Sequence, residues 1–458
     1  MPYRAATALC VAALAVWTLA GPASADKTAE QIRAVQKVVG PSTVVVSFTI
    51  ERDDGAKADV RALGTVVGEG NVVTLASAAI PPQFALSQFK DFKVIVTKGD
   101  DLTEYEAEYL GKDDRAQLAF LKVTDASAPA LPPLGFDETT KVQVGDLLIS
   151  VANLGEPDGY ERVFQMTRVS AQIDQPVTTY LCMKGLGAPG TPVLTPEGKA
   201  VGIVGLVRMN RGTNARPKMA LAQVLWPTER FIERIKDPPK GGKAIKQAWL
   251  GVQTLTPVTK DLAEYFKLGD RRGVIVGQVI EESPAEKAGI KAEDIILAVG
   301  GKPITGTEGQ LVENFSNEVR ERKVGETLDL QVWRGGKRQT IKVTLAPMPK
   351  TVGEAERFHD ETFGLTVREM VVGDRISREL PASETGVVVS FLKPAGWAHD
   401  GGLRPGDIIK KVRDQDTPTL AEFKKVFRAE VKKKPKEVVL FVLRGKKDTQ
   451  LVRIEPRW

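Results

Sequence analysis

Histidine is the side chain most often used to move protons at neutral pH, and this chain has only His359 and His399. Both lie far down the sequence, so no imidazole is available to activate a nucleophile in the first three hundred and fifty residues. Cysteine is equally scarce, with Cys10 and Cys182. Cys182 falls in the apolar alternation Val177-Thr178-Thr179-Tyr180-Leu181-Cys182-Met183 and reads as a structural thiol, because a nucleophilic cysteine needs a neighbouring base to form thiolate. No spacing of His, Cys and carboxylates completes a metal shell, and no cofactor is expected.

Three blocks nevertheless carry a catalytic frame. They are Gly70-Asn71-Val72-Val73-Thr74-Leu75-Ala76-Ser77-Ala78-Ala79, Asp114-Arg115-Ala116-Gln117-Leu118-Ala119-Phe120-Leu121-Lys122-Val123, and Gly187-Ala188-Pro189-Gly190-Thr191-Pro192 followed by Val193-Leu194. Together they resemble the trypsin-like domain of the HtrA/Deg family, whose blocks end in Thr-x-x-His, contain Thr-Asp-Leu-Ala, and read Gly-Asn-Ser-Gly-Gly-Pro. The resemblance puts Ser77 in the histidine slot, Gln117 in the aspartate slot and Pro189 in the serine slot. A serine-protease mechanism needs a hydroxyl nucleophile, an imidazole and an orienting carboxylate, and none of the three is present. Proline also lacks the backbone N–H that the nucleophile residue lends to the oxyanion hole. The expected 185–192 loop therefore lacks a preformed oxyanion hole, with Ser77 and Gln117 bonded to each other or to backbone.

The 458 residues, 42% hydrophobic and 27% charged, suit several ordinary globular domains. Arg4, the apolar run Ala5–Leu19 and Ala23-Ser24-Ala25 read as an export signal cut near Ala25, leaving no integral membrane segment and a periplasmic or extracellular protein. Cys182 then stands alone and no intrachain disulfide can form. The net charge of +6 is diluted among abundant acidic residues. The Lys432-to-Lys436 run has no aromatic interleaving and reads as a solvated turn, so no nucleic-acid partner is expected.

Strand-length apolar runs occur at Ser42–Thr49, Phe92–Val96 and Asp146–Val151. A helix is expected over Leu221–Ile235, followed by the linker Asp237-Pro238-Pro239-Lys240-Gly241-Gly242. Beyond it the chain repeats at a spacing of roughly 113 residues. Gly273-Val274-Ile275-Val276 returns as Gly386-Val387-Val388-Val389, and Ala288-Gly289-Ile290-Lys291-Ala292-Glu293-Asp294-Ile295-Ile296 returns as Gly401-Gly402-Leu403-Arg404-Pro405-Gly406-Asp407-Ile408-Ile409. The order resembles PDZ domains, with Glu293 where that family usually has glycine.

That resemblance implies peptide capture by addition of an extended tail to a sheet edge, the terminal carboxylate held by backbone N–H groups. The implied carboxylate turns are Leu250-Gly251-Val252 and Gly364-Leu365. The opposite walls would be the helices carrying Leu311 and Phe315, and Leu420, Phe423 and Phe427, whose spacing fits a plain core stripe equally well. His359 and His399 read either as solvated loop residues or as groups near the second groove.

The resulting expectation is a mainly β chain. It comprises a signal peptide (1–25), a degenerate trypsin-like double β-barrel (26–237), a linker (238–248) and two α+β PDZ domains of partly open barrel type (249–348 and 349–458). Functionally it reads as a secreted or periplasmic pseudoprotease acting as scaffold, chaperone or adaptor. Its implied partners are C-terminal or unfolded segments of envelope proteins, with homo-oligomers or an active relative also in view. The alternative is an active serine endopeptidase of envelope quality control.

Overall fold

The computed structural model describes residues 23–98, 101–174, 177–210 and 219–458, so residues 1–22 of the expected export signal lie outside the described residues. Helix α1 (Ala23–Val39) leads into β1 (Thr43–Glu51), β2 (Lys57–Gly68), β3 (Val72–Ala76), β4 (Phe89–Lys98), β5 (Asp101–Asp113) and β6 (Leu118–Val123). These strands close into a barrel because β5 pairs with both β4 and β6. In β1, Val44, Val46, Phe48 and Ile50 share one face by the two-residue period of a strand. They meet Val73, Leu75, Val94 and Leu121 in the barrel core.

A second closed barrel follows, built from β7 (Leu147–Asn153), β8 (Arg162–Ile173), β9 (Thr179–Cys182), β10 (Pro192–Leu194), β11 (Ala200–Asn210) and β12 (Met219–Pro227). The expected helix over Leu221–Ile235 is corrected here: its first half is strand β12, and helix begins only after Pro227, as a single 3-10 turn (Thr228–Arg230) and then α2 (Ile232–Lys236). The physical reason is burial on both faces. Val224 and Trp226 join Ala116, Leu118, Phe120, Ile203 and Phe231 between the barrels, while Leu225 enters the second barrel's core. Such a strand shows no alternation in sequence.

The linker region is not free of structure. Strand β13 (Lys243–Ala244) adds in parallel to β5. The first repeat then runs β14 (Ala248–Trp249), β15 (Val252–Pro257), α3 (Lys260–Tyr265), β16 (Val274–Val279), α4 (Pro284–Lys287), β17 (Ile295–Val299), β18 (Lys302–Pro303), α5 (Glu308–Arg320), β19 (Thr327–Arg334), β20 (Lys337–Thr344) and β21 (Ala346–Pro347). Its main sheet has the order β15-β16-β17-β19-β20, and β14 pairs with β21.

The second repeat comprises β22 (Arg357–Asp360), β23 (Leu365–Glu369), α6 (Val372–Arg378), β24 (Val387–Leu392), α7 (Trp397–Asp400), β25 (Ile408–Val412), β26 (Gln415–Asp416), α8 (Leu420–Lys432), β27 (Val438–Arg444) and β28 (Asp448–Ile454). Its sheet order is β22-β23-β24-β25-β27-β28. The repeated turn before β17 and β25 needs a left-handed residue. Gly406 supplies it at φ +93°, whereas Glu293 holds the same conformation at φ +69°, at the steric cost a Cβ imposes there. Among the described residues no helix is long and apolar enough to cross a membrane.

Candidate functional site

The three slots come together where the barrels meet. Ser77, buried, opens the turn that ends β3, and its backbone N–H donates to the Gln117 carbonyl at 3.0 Å. Gln117 lies in the loop between β5 and β6 at φ +58°. Its amide acts across the barrel interface: Nε2 donates to the Leu206 carbonyl at 2.9 Å and Oε1 accepts from the Leu206 N–H at 2.7 Å. One amide side chain supplies the donor and acceptor that a strand partner would provide, a role a carboxylate in this slot could fill only by half.

Pro189 sits in the loop entering β10, pressed against the end of β3. Gly190 has φ +81°, and a Cβ there would fall 2.4 Å from the Ala76 backbone nitrogen, so only glycine permits the approach. Hydrogen bonds fill the loop. The Gly187 N–H donates to the Ser150 hydroxyl at 2.9 Å, the Gln223 Nε2 donates to the Gly187 carbonyl at 3.0 Å, and the Gly190 N–H donates to the Val204 carbonyl at 2.8 Å. The Gly187 N–H is thus taken up by Ser150, and Pro189 has no N–H to offer. Cys182 is half-buried, and burial pushes its thiol up to about 11, consistent with a structural role.

Removing the Gln117 amide leaves the Leu206 N–H and carbonyl without their partners. Gln117→Ala is expected to destabilise the paired barrels by about 2 kcal/mol, read as a lower denaturant midpoint with unchanged slope. A Gln117→Leu variant as stable as the parent would show the amide to be dispensable.

The same loop is tied to the first repeat. Arg115 lies 3.3 Å from the Glu321 carboxylate at the end of α5, and Arg230 lies 2.6 Å from it. Sequence offered no signal for this tie, since opposite charges two hundred residues apart are everywhere in the chain.

In the first repeat Gly251 has φ +88°, and a Cβ there would strike the Ser283 side chain at 2.1 Å. Leu250 is buried and Val252 half-buried, and β15 is the edge strand beside α5. Gly364 has φ +61° and leads into buried Leu365 at the start of β23. Leu311 and Phe315 on α5, and Leu420, Phe423 and Phe427 on α8, are buried within the two repeats' apolar clusters. His359, exposed on β22, lies 2.9 Å from the Thr366 hydroxyl, and His399 is exposed beside Asp400. Among the described residues no cluster of His, Cys, Asp and Glu could hold a metal ion.

The repeated aspartates have a structural use that their place in the motif does not announce. Asp294 and Asp407 are 1% and 2% exposed, and each receives both arms of an arginine. Arg334 donates to Asp294 at 2.6 Å through Nε and one amino group. Arg444 donates to Asp407 at 2.8 and 2.7 Å. Each arginine also bonds the Gly289 or Gly402 carbonyl of its own repeat. The arginines' own recurrence, 110 residues apart, was the available signal.

Known protein families match three segments of the chain. The trypsin-like peptidase domain family matches residues 62–203, and the PDZ domain family matches 249–345 and 355–443. A relative from Pseudomonas putida (strain ATCC 700007 / DSM 6899 / JCM 31910 / BCRC 17059 / LMG 24140 / F1), named as a probable periplasmic serine endoprotease DegP-like, is 30% identical over 351 residues, covering 73% of this chain and 69% of its own. One of the same name from Brucella suis biovar 1 is 29% identical over 398 residues, covering 81% and 70%. In fold the chain is similar to the HtrA-type protease AlgW solved with a decapeptide, with a TM-score of 0.50 at 17% identity over 69% of this chain and 98% of that one. The chain belongs to the HtrA family of DegP-like serine endoprotease homologues, a trypsin-like double barrel followed by two PDZ domains.

Proposed function

We propose that this member of the family is exported and does not hydrolyse peptides, and that it captures extended or C-terminal segments of envelope proteins as a scaffold, chaperone or adaptor. The observation that carries the reading is the Gly187-to-Pro189 loop, where proline stands in the nucleophile slot and the remaining oxyanion donor is bonded to Ser150. A frame of this kind keeps the barrels as a platform for the PDZ domains, through which it would act alone, as a homo-oligomer or beside an active relative. Export is supported by the N-terminal pattern of Arg4, the apolar run and Ala23-Ser24-Ala25, and by the word "periplasmic" in the names of its relatives.

The second reading, an active endopeptidase, is favoured by those same names. It would require a base that the barrels do not contain, since His359 and His399 are the chain's only histidines.

Peptide capture is tested on the full mature chain with synthetic peptides ending in an apolar residue and a free carboxylate. Binding at micromolar Kd, about −8 kcal/mol, is expected at the Leu250-Gly251-Val252 turn. Amidation of the peptide terminus should weaken it at least tenfold, because the turn would lose its anion. The peptide should be recovered uncut by mass spectrometry. Equal binding of acid and amide forms would refute carboxylate capture, and cleavage would refute the non-hydrolytic reading.

A further inference from the structure

The two repeats treat the residues ahead of their glycine turns differently. In the first, β14 turns away and pairs with β21, which leaves β15 with β16 as its only strand partner among the described residues. In the second, β22 folds back onto β23 with the register Arg357↔Arg368, Phe358↔Val367, His359↔Thr366 and Asp360↔Leu365. It runs antiparallel to β23 and ends at the Gly364 turn. That is the edge, the direction and the end point an added peptide tail would use in capture by sheet extension.

The side chains complete the likeness. Phe358, 6% exposed, packs against α8 with ring centroids 6.1 Å from Phe423 and 6.3 Å from Phe427, and Arg428 covers its face at 5.1 Å. Two residues on, the Asp360 Oδ1 accepts the Phe363 N–H of the turn at 2.9 Å, which puts a carboxylate on a backbone donor where a peptide's terminal carboxylate would seek one. The segment leading into β22 is held by the first barrel. Arg357, largely buried, lies 2.5 Å from Asp53 of the first barrel, and Lys246, in the connection between β13 and β14, lies 2.5 Å from Glu354. Gly353 sits so close to Pro82 that a Cβ would fall 1.7 Å from its carbonyl oxygen.

We infer that the second PDZ groove is filled in cis by β22, which mimics a bound tail, and that the barrel clamp at Asp53–Arg357 keeps it filled. The groove then takes a free peptide only when β22 leaves. Its ligand class is the chemistry β22 displays: an extended segment with an aromatic side chain two positions before a carboxylate. This deepens the peptide-capture reading proposed above and rests on it for the ligand, though not for the occupancy of the groove.

The test uses the full mature chain and a peptide copying residues 353–360 with a free C-terminus, carrying a benzophenone at the phenylalanine position, with crosslinks mapped by mass spectrometry. The parent is expected to give no crosslink to 365–369 or to α8, whereas Arg357→Glu, which sets a carboxylate against Asp53, should give them with at least tenfold tighter binding. Phe358→Ala should do the same, but it empties part of the core. A His359→Cys/Thr366→Cys pair in the Arg357→Glu background therefore serves as control: oxidised it should stay closed, and reduced it should reopen. Amide exchange gives a readout independent of any ligand. Residues 357–360 should exchange slowly in the parent and at least tenfold faster in Arg357→Glu. Crosslinks to 365–369 in the parent, fast exchange of β22 in the parent, or a folded Arg357→Glu variant with unchanged exchange would each overturn the inference. Failure of every free-carboxylate peptide at both grooves, with β22 still protected, would instead count against peptide capture and leave the occupancy supported.

Discussion

The purified mature chain is expected to leave unfolded casein intact and to take no label from a fluorophosphonate probe. In active enzymes of this chemistry, loss of the serine or histidine alone lowers turnover by about 10⁶, and on the non-hydrolytic reading proposed above Pro189, Ser77 and Gln117 stand in all three positions. Pro189→Ser should also remain unlabelled, because Ser77 cannot accept the proton and Gln117 is engaged with Leu206. The triple change Ser77→His, Gln117→Asp and Pro189→Ser restores the three groups but not the electrostatics. The Gly187 N–H remains bonded to the Ser150 hydroxyl, and one missing oxyanion donor costs about 10² to 10³ in turnover. Adding Ser150→Ala to the triple variant should therefore raise its rate by about 10², provided the weakened barrel interface still folds. Probe labelling of the unmodified chain at the barrel would refute the non-hydrolytic reading outright.

The trypsin-like domain was legible because it rests on local signals. Three blocks fix the ends of β3, β5 and β10, and a proline or a missing histidine can be read without coordinates. Gln117 was legible in part: an amide offers both donor and acceptor, so an interface role could be anticipated, although its partner, Leu206, lies 89 residues away. The repeat at a spacing of about 113 marked both PDZ domains. Strand β12 was misread because Val224 and Trp226 face one buried layer and Leu225 another, which erases the period that distinguishes strand from helix. Helical spacing could not separate groove from core for Leu311, Phe315, Leu420 and Phe423, since both require an apolar stripe, and all four are buried. Strand β22 was invisible for a different reason. Arg357-Phe358-His359-Asp360 carries no β-branched residue, and its conformation is imposed by the edge of β23 and by the Asp53 contact. Tertiary context, not propensity, makes it a strand.

The largest stability effect is expected at the aspartates that the repeat preserves. Asp407→Ala strips Arg444 of a two-armed partner and leaves the Arg404 N–H, which donates to Asp407 at 2.9 Å, without its acceptor. The Arg444 side chain is 19% exposed and Arg334 is 32% exposed, so water can compensate the second better than the first. Breaking a buried pair from one side costs about 3 to 5 kcal/mol, and Asp407→Ala should fall in that range. Asp294→Ala should cost about 2 to 3 kcal/mol. Against a domain stability of about 5 to 15 kcal/mol, the first change removes a large part of what holds the second repeat folded. Its α8 and β27 should become sensitive to limited proteolysis while the barrels stay intact. Asp407→Asn, which keeps the volume and one acceptor but loses the charge, should lie between parent and alanine. A loss under about 0.5 kcal/mol for Asp407→Ala, the level of an ordinary surface change, would show that the motif aspartate is not what secures the turn before β25, and that the Asp–Arg pair is an accompaniment of the fold and not a cause of it.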